Sequence, residues 1–179
     1  MIGRLIAVVG ASGAGKDTVI AHARDRLDDV LFVRRAITRP TDAHEDHEPL
    51  DLESFAQREA EGGFCVTWDA HGLRYGIPVQ VVAHVAAGGT AVLNGSRRAL
   101  PMLREAFDHV VVVEVTADED VRAARLAVRG REDAVLIRRR LARAKLDYPG
   151  RDKAMRIANE GTPEEAGGAL LRIVREHQP

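Results

Sequence analysis

The chain has 179 residues, enough for one domain of ordinary size with a sizeable apolar core. Its formal net charge of −1 gives no global field favouring nucleic acid or a membrane surface, and no apolar run is long enough to span a bilayer. Cys65 is the only cysteine, which excludes an intrachain disulfide and a cysteine-built zinc cluster, and within Phe64-Cys65-Val66 it reads as a small core residue.

Leu5-Ile6-Ala7-Val8-Val9 is a short apolar, β-branched run of the kind buried in a parallel sheet. Gly10-Ala11-Ser12-Gly13-Ala14-Gly15-Lys16-Asp17-Thr18 follows, opening onto Val19-Ile20-Ala21-His22-Ala23, which predicts a helix ending near Asp28-Asp29. Strand, glycine loop, Gly-Lys and helix in that order are the setting of a phosphate-binding loop. Glycines let the backbone curl so that several N–H groups face one anion, and the helix start adds the positive end of its dipole. Gly10, Ala11, Ser12, Gly13, Ala14, Gly15, Lys16, Asp17 and Thr18 are the candidate nucleotide-binding residues, with Lys16 placed to reach the β- and γ-phosphates. Asp17 stands where a serine or threonine normally follows the lysine and touches Mg²⁺. A carboxylate there is either a magnesium ligand, direct or through water, or a side chain turned onto the helix surface.

Val30 to Ile37 predicts one strand carrying Arg34 and Arg35, broken at Thr38-Arg39-Pro40. Thr41 to Pro49 is polar and has no hydrophobic period, so a solvated surface loop is expected, and His44, Asp46 and His47 read as solvated rather than as a metal site. Asp51 caps a helix running through Phe55 and Ala60 to Gly62-Gly63. Phe64 to Trp68 and Leu73 to Tyr75 predict two short strands around His71-Gly72, and Pro78 starts a helix over Val79 to Ala87. Thr90 to Leu93 is a buried strand ending in Asn94-Gly95-Ser96-Arg97-Arg98; Leu100 to Phe107 is a helix, and Val110 to Val115 a continuous strand. Asp118 to Arg129 is helical, Gly130 to Asp133 interrupts it, and an arginine-rich helix follows from about Val135 to Leu146. Met155 to Ala158 is the last strand, and Thr162-Pro163-Glu164-Glu165 is a capping box opening a helix with Leu170, Leu171 and Val174 inward.

Strands alternating with helices predict an α/β domain whose parallel sheet is covered by helices on both faces, with ligands beyond the carboxyl ends of the strands. Only Lys16, Lys145 and Lys153 among the 26 basic residues are lysines. Arginine is the better phosphate ligand because its planar fork meets two oxygens at once, so position must separate phosphate-binding arginines from solvated ones. Arg39 and the Asn94-Gly95-Ser96-Arg97 group sit at strand ends, where they can face the glycine loop. Arg125, Arg129, Arg131, Arg140 and Arg143 flank a glycine-broken helix pair, the arrangement expected of a lid; Arg104, Arg172 and Arg175 read as solvated.

The glycine loop, Thr38-Arg39, His71-Gly72-Leu73-Arg74-Tyr75-Gly76, Arg125 to Arg131, Arg140 to Ala144 and Ile157-Ala158-Asn159-Glu160 together resemble the guanylate-kinase-like branch of the nucleoside-monophosphate-kinase fold. The resemblance covers nearly the whole chain. It implies one P-loop kinase domain over 1–179, an acceptor-binding insert over about 36–80 and an arginine-rich lid over about 125–146. Departures stand where guanine would be read: Asn94 and Ser96 replace aspartates and Arg35 replaces a serine, although Asp69 keeps an acidic position. Lys16-Asp17-Thr18, Ile37-Thr38-Arg39 and Asn94-Gly95-Ser96-Arg97 are similar to the ribose 1,5-bisphosphate phosphokinase family within that branch.

That similarity implies transfer of the γ-phosphoryl of ATP, with Mg²⁺, to the 1-phosphate of ribose 1,5-bisphosphate, giving 5-phosphoribosyl 1-diphosphate and ADP in phosphonate breakdown. It implies Lys16, Arg125, Arg129 and Arg140 as catalytic residues and Asp17 as magnesium partner. Arg39, Tyr75, Asn94, Ser96 and Arg97 would bind the acceptor. The expected partner is a small phosphorylated sugar rather than nucleic acid or membrane, the expected location is the cytoplasm, and a homodimer is compatible with the chain. Guanylate kinase or another small-acceptor kinase is the alternative, followed by a non-catalytic interaction module.

Overall fold

The computed structural model describes residues 2–41, 46–128 and 147–178. The elements run β1 (Arg4–Val9), α1 (Lys16–Arg24), β2 (Val30–Val33), β3 (Ala36–Ile37), β4 (Glu48–Pro49), α2 (Leu52–Ala60), β5 (Phe64–Ala70) and β6 (Leu73–Pro78). They continue with α3 (Gln80–Ala86), β7 (Thr90–Asn94), α4 (Leu100–Ala106), β8 (Val110–Thr116), α5 (Glu119–Val128), β9 (Met155–Ala158) and α6 (Pro163–Glu176). β2, β7, β1, β8 and β9 lie in that order in one wholly parallel sheet with β1 at its centre.

The pleat of β1 explains why its sequence shows no polar alternation. Leu5, Ala7 and Val9 enter one core, formed with α3, α4 and part of the second sheet, while Ile6 and Val8 enter the other, against α1 and α6. All five side chains are fully buried, a contribution of about 1.5–3 kcal/mol for each large one. α1 presents Val19, Ile20 and Ala23 to Ala166, Leu170, Ile173 and Val174 of α6. Leu171, expected to point inward, is only half-buried, and Ile173 takes the inward place, which is the i, i+4, i+7, i+8 stripe counted from Ala166. The capping box forms as expected: Glu165 N–H donates to Thr162 Oγ1 at 3.3 Å and Thr162 N–H donates to Glu165 Oε2 at 2.9 Å.

A second sheet, ordered β4-β3-β6-β5, stands on the first core. It corrects the single strand expected over Val30 to Ile37. Val33 pairs with Leu93 in the parallel sheet, whereas Ala36 and Ile37 pair antiparallel with Gly76 and Tyr75 of β6. Arg34 and Arg35 form the joint, Arg34 outward and Arg35 buried. The solvated loop expected up to Pro49 is likewise revised. Glu48 and Pro49 form β4, parallel to β3, and His47 is fully buried, its O accepting from Arg34 Nη2 at 3.1 Å and its Nε2 lying 3.3 Å from Arg39 O. Asp46 accepts from Arg24 and Arg34, each at 2.9 Å; His44 lies outside the described residues, and among these no three His, Cys, Asp or Glu side chains cluster as a metal site would need. Pro78 ends β6 rather than starting α3, and α1 stops at Arg24, short of Asp28. The helix expected over Val135 to Leu146 lies outside the described residues.

The arginine bias has a structural use here. Arg24, Arg35, Arg58 and Arg74 place their guanidinium groups over Phe32, Tyr75, Phe64 and Phe55 at 4.7–5.7 Å. A flat cation can stack on a ring and still spend its N–H groups on carboxylates, as Arg74 does with Glu59, which a lysine cannot match.

Candidate active site

The site lies at the carboxyl edge of the parallel sheet, where β1, β7 and β9 release their chains into loops. The loop after β1 reaches α1 through Gly15, which caps the helix at φ 87°, ψ 26°. A Cβ at Gly15 would stand 2.3 Å from Asn159 Nδ2. That amide is committed: it donates to Ala14 O at 2.7 Å, and Asn159 N–H donates to Thr116 O at 2.8 Å, so β8 and β9 hold the loop from behind. Arg125 Nη1 reaches the same Ala14 O at 3.5 Å. Lys16 Nζ donates to Gly10 O at 3.2 Å, folding the side chain over the loop. Asn94 Nδ2, at the end of β7, donates to Asp17 Oδ1. Asp17 thereby lines the cleft rather than turning onto the helix surface.

A cavity of about 330 Å³ runs from this loop to the second sheet. Gly10, Ser12, Gly13, Gly15, Lys16 and Asp17 line one part of it, and Asn94, Gly95 and Ser96 another. The remaining lining includes Arg35, Arg39, Trp68, Leu73, Tyr75 and His71 from the second sheet and its approaches. Cross-strand pairing of Trp68 with Tyr75 stacks their rings at 5.1 Å and 8°, and Arg35 lies over the tyrosine at 5.7 Å. Strand alternation takes Asp69 out of this wall: Trp68 and Ala70 line the cavity, while the Asp69 side chain is 79% exposed and faces Arg74 Nε at 3.5 Å. The acidic position that could have read a guanine is therefore turned away from the cleft.

A charged cluster centres on Glu114, a β8 carboxylate that is 2% exposed and acts on Arg97, next to Ser96 in the chain. It accepts from Arg151 Nε at 3.2 Å and lies 3.9 Å from Arg156 Nε. Burial draws the Arg97 guanidinium below the usual arginine range, and the charge of Glu114 opposes that shift. Burial pushes the Tyr148 hydroxyl up, with Glu114 adding to it, whereas the hydrogen bond to Glu114 raises Arg151. The charge of the buried Glu114 carboxylate favours the charged form of the cations around it, Arg97 and Arg151 among them.

The structure thus gathers Gly10, Ser12, Gly13, Gly15, Lys16, Asp17, Arg39, Tyr75, Asn94 and Ser96 around one cavity. Ala11, Ala14, Thr18 and Arg97 do not line it; Thr18 is exposed and Arg97 half-buried behind the wall. Arg125 touches the loop, and Arg129 and Arg140 lie outside the described residues. Arg35, set by the resemblance where guanine would be read, lines the cavity, and Trp68 and Leu73 join it as lining residues not expected from the sequence. Alternation in β5 and β6 was the available signal, but it required knowing which face met the loop. Glu114, inside an otherwise apolar strand, was the other available signal.

No protein-family model matches the chain. The ribose 1,5-bisphosphate phosphokinase PhnN of Acidiphilium cryptum is 50% identical over 175 residues, covering 96% of this chain and 92% of that protein. The protein of the same description from Pseudofrankia inefficax is 46% identical over 173 residues, covering 96% and 90%. A bifunctional ribose 1,5-bisphosphokinase-thymidine phosphorylase of Cupriavidus necator is 42% identical over 175 residues, covering 97% of this chain but 29% of its own length. Among solved structures, a guanylate kinase from Anaplasma phagocytophilum superposes with a TM-score of 0.71 at 19% identity over 99% of this chain and 87% of that one, a likeness of fold.

Proposed function

The chain belongs to the ribose 1,5-bisphosphate phosphokinase family, and from that premise we propose that it transfers the γ-phosphoryl group of ATP to the 1-phosphate of ribose 1,5-bisphosphate. The products are 5-phosphoribosyl 1-diphosphate and ADP, within phosphonate catabolism. One observation carries the reading beyond the family: the glycine loop with Lys16 and the arginine-bearing wall of the second sheet open into the same cavity of about 330 Å³. Donor and acceptor phosphates can meet there at close range. Among the described residues no helix is long and apolar enough to cross a membrane, and we place the reaction in the cytoplasm, where ATP is available.

The attacking atom is an oxygen of the acceptor's 1-phosphate, already anionic at neutral pH. It bonds to the γ-phosphorus as the bond to the β–γ bridging oxygen breaks, and ADP leaves. No strong general base is needed, so the protein supplies alignment and charge. In this reading the loop N–H groups hold the donor phosphates and Lys16 exchanges Gly10 O for the γ-group. Arg39, Tyr75, Asn94 and Ser96 orient the acceptor, Arg97 adds positive charge behind them, and Arg125, Arg129 and Arg140 neutralise charge on the transferring group. Asp17, held in the cleft by Asn94, is the carboxylate that fits a magnesium ion beside the donor phosphates; when bound, the ion supplies charge neutralisation there.

The deciding experiment incubates the protein with ATP and Mg²⁺ and either ribose 1,5-bisphosphate or GMP, scoring ADP and product mass. 5-Phosphoribosyl 1-diphosphate with GMP inert is the expected result. GDP formation would replace the reading with guanylate kinase, against the outward placement of Asp69. No product with either acceptor would favour a binding module.

A further inference from the structure

Arg35 has two properties that rarely coincide. It is 6% exposed, and it nonetheless lines the cavity. Its position follows from the joint between the two sheets. Val33 is the last residue held in the parallel sheet, Arg34 turns outward to Asp46, and Arg35 O accepts from Glu48 N–H at 2.8 Å, which pins the backbone where the second sheet begins. Ile37 then pairs with Tyr75, and Tyr75 with Trp68. By alternation Arg35 shares a face with Ile37, so a diagonal runs over three adjacent strands: guanidinium, phenol, indole.

Each layer of that diagonal removes something from the pocket. Tyr75 carries Arg35 over its ring at 5.7 Å and Trp68 stacked on it at 5.1 Å and 8°, so a purine would have to compete with both for this ring. Trp68 is 7% exposed and stacked on Tyr75. A planar base therefore meets a wall whose rings are already engaged with one another and with Arg35, and the Asp69 carboxylate faces outward. What the wall does present is a flat cation held in place by a ring and shielded from bulk water. Such a group loses little freedom on binding and favours a phosphate dianion strongly.

Resting on the phosphokinase reading, we propose that Arg35 is the specificity-determining residue of the acceptor site: its guanidinium binds an acceptor phosphate, and its stack with Tyr75 and Trp68 excludes nucleotide acceptors. The selectivity for a sugar phosphate is then built from one attraction and one blocked surface.

The test uses the full chain and the wild type with Arg35→Ala and Arg35→Lys. Steady-state rates are measured with ribose 1,5-bisphosphate and saturating ATP. In parallel, Trp68, the only tryptophan, reports acceptor binding by its own fluorescence without turnover. Truncation should raise KM and the fluorescence Kd for ribose 1,5-bisphosphate about 10- to 100-fold, as loss of a charged hydrogen bond does, with kcat within about threefold and ATP affinity unchanged. Arg35→Lys, which keeps the charge but neither the fork nor the stack, should recover less than half of that loss on a logarithmic scale. A purely structural role for Arg35 would lower kcat and ATP affinity together. Wild-type protein that forms product while both variants keep KM within twofold overturns the inference alone. Wild-type protein that forms no 5-phosphoribosyl 1-diphosphate overturns the reading beneath it as well. Should Arg35→Ala fail to fold, the lysine variant decides by the same two numbers.

Discussion

Replacing Gly15 by alanine tests whether the glycine loop is shaped by what lies behind it. Gly15 has φ 87°, a conformation that costs an L side chain about 1–2 kcal/mol. Its new Cβ would sit 2.3 Å from Asn159 Nδ2 and 3.4 Å from Arg125 Nη1. The arginine can give way, being the end of a flexible chain. Asn159 is 4% exposed, so moving its amide breaks the 2.7 Å bond to Ala14 O in a buried place, a loss of about 1–3 kcal/mol. Together Gly15→Ala should cost about 2–5 kcal/mol, a large part of the roughly 5–15 kcal/mol of a whole domain. Urea unfolding followed by far-ultraviolet circular dichroism reads the loss as a fall in midpoint at constant slope. A double-mutant cycle isolates the cause. Asn159→Ala alone should cost about 1–3 kcal/mol, and the pair should cost less than the sum by at least about 1 kcal/mol, because the clash and the hydrogen bond disappear with the same amide. Additivity within about 0.5 kcal/mol would refute the account and leave only the backbone conformation to explain the glycine.

Lys16→Met should lower kcat about 10²-fold or more while leaving the fold intact, since one oriented charge is removed from the transferring phosphoryl group; near-normal turnover would disprove that role. Glu59 is held below the ordinary glutamate value of 4.5, first by the Thr67 hydroxyl and then by Arg74. A depressed carboxylate contributes stability that is present above its unfolded pKa and lost as pH falls through the folded one. Glu59→Gln should therefore flatten the acid limb of the melting profile below about pH 4.5, and an unchanged limb would count against the network. Thr162→Ala should lower stability by about 1 kcal/mol, measured by urea melts, with no effect on KM for either substrate.

The centre of the parallel sheet was readable because β1 is buried on both faces and therefore appears as an unbroken apolar run, and the glycine loop because its residue types are dictated by backbone geometry. The N-cap at Asp51 and the capping box at Thr162 were readable for the same local reason. What escaped depends on partners distant in the chain. Nothing in Val30 to Ile37 marks the change of sheet after Val33, since both halves are apolar and only pairing with β7 or β6 separates them. His47 looks solvated among charged neighbours, yet it is buried because its ring reaches back to Arg39 O. Trp68 becomes a site residue only through its stack on Tyr75, and the hold of that ring on Arg35 is equally a matter of distant pairing. Asp69, beside Trp68 in sequence, is excluded by the same pleat that brings the tryptophan in.

The central position of β1 has a consequence for how the chain comes off the ribosome. Its neighbours in the sheet are β7 and β8, and the amide that fixes Ala14 O belongs to Asn159, 145 residues further on. Leu5 to Val9 therefore emerges long before anything exists to cover it, and must stay unpaired while most of the message is still being read. ATP cannot rescue a half-made chain, because the cradle it would grip is closed from behind by residues translated late. The nucleotide can select only finished molecules, and a frameshift before β9 should yield a product that chaperones hold and proteases clear rather than a sluggish kinase.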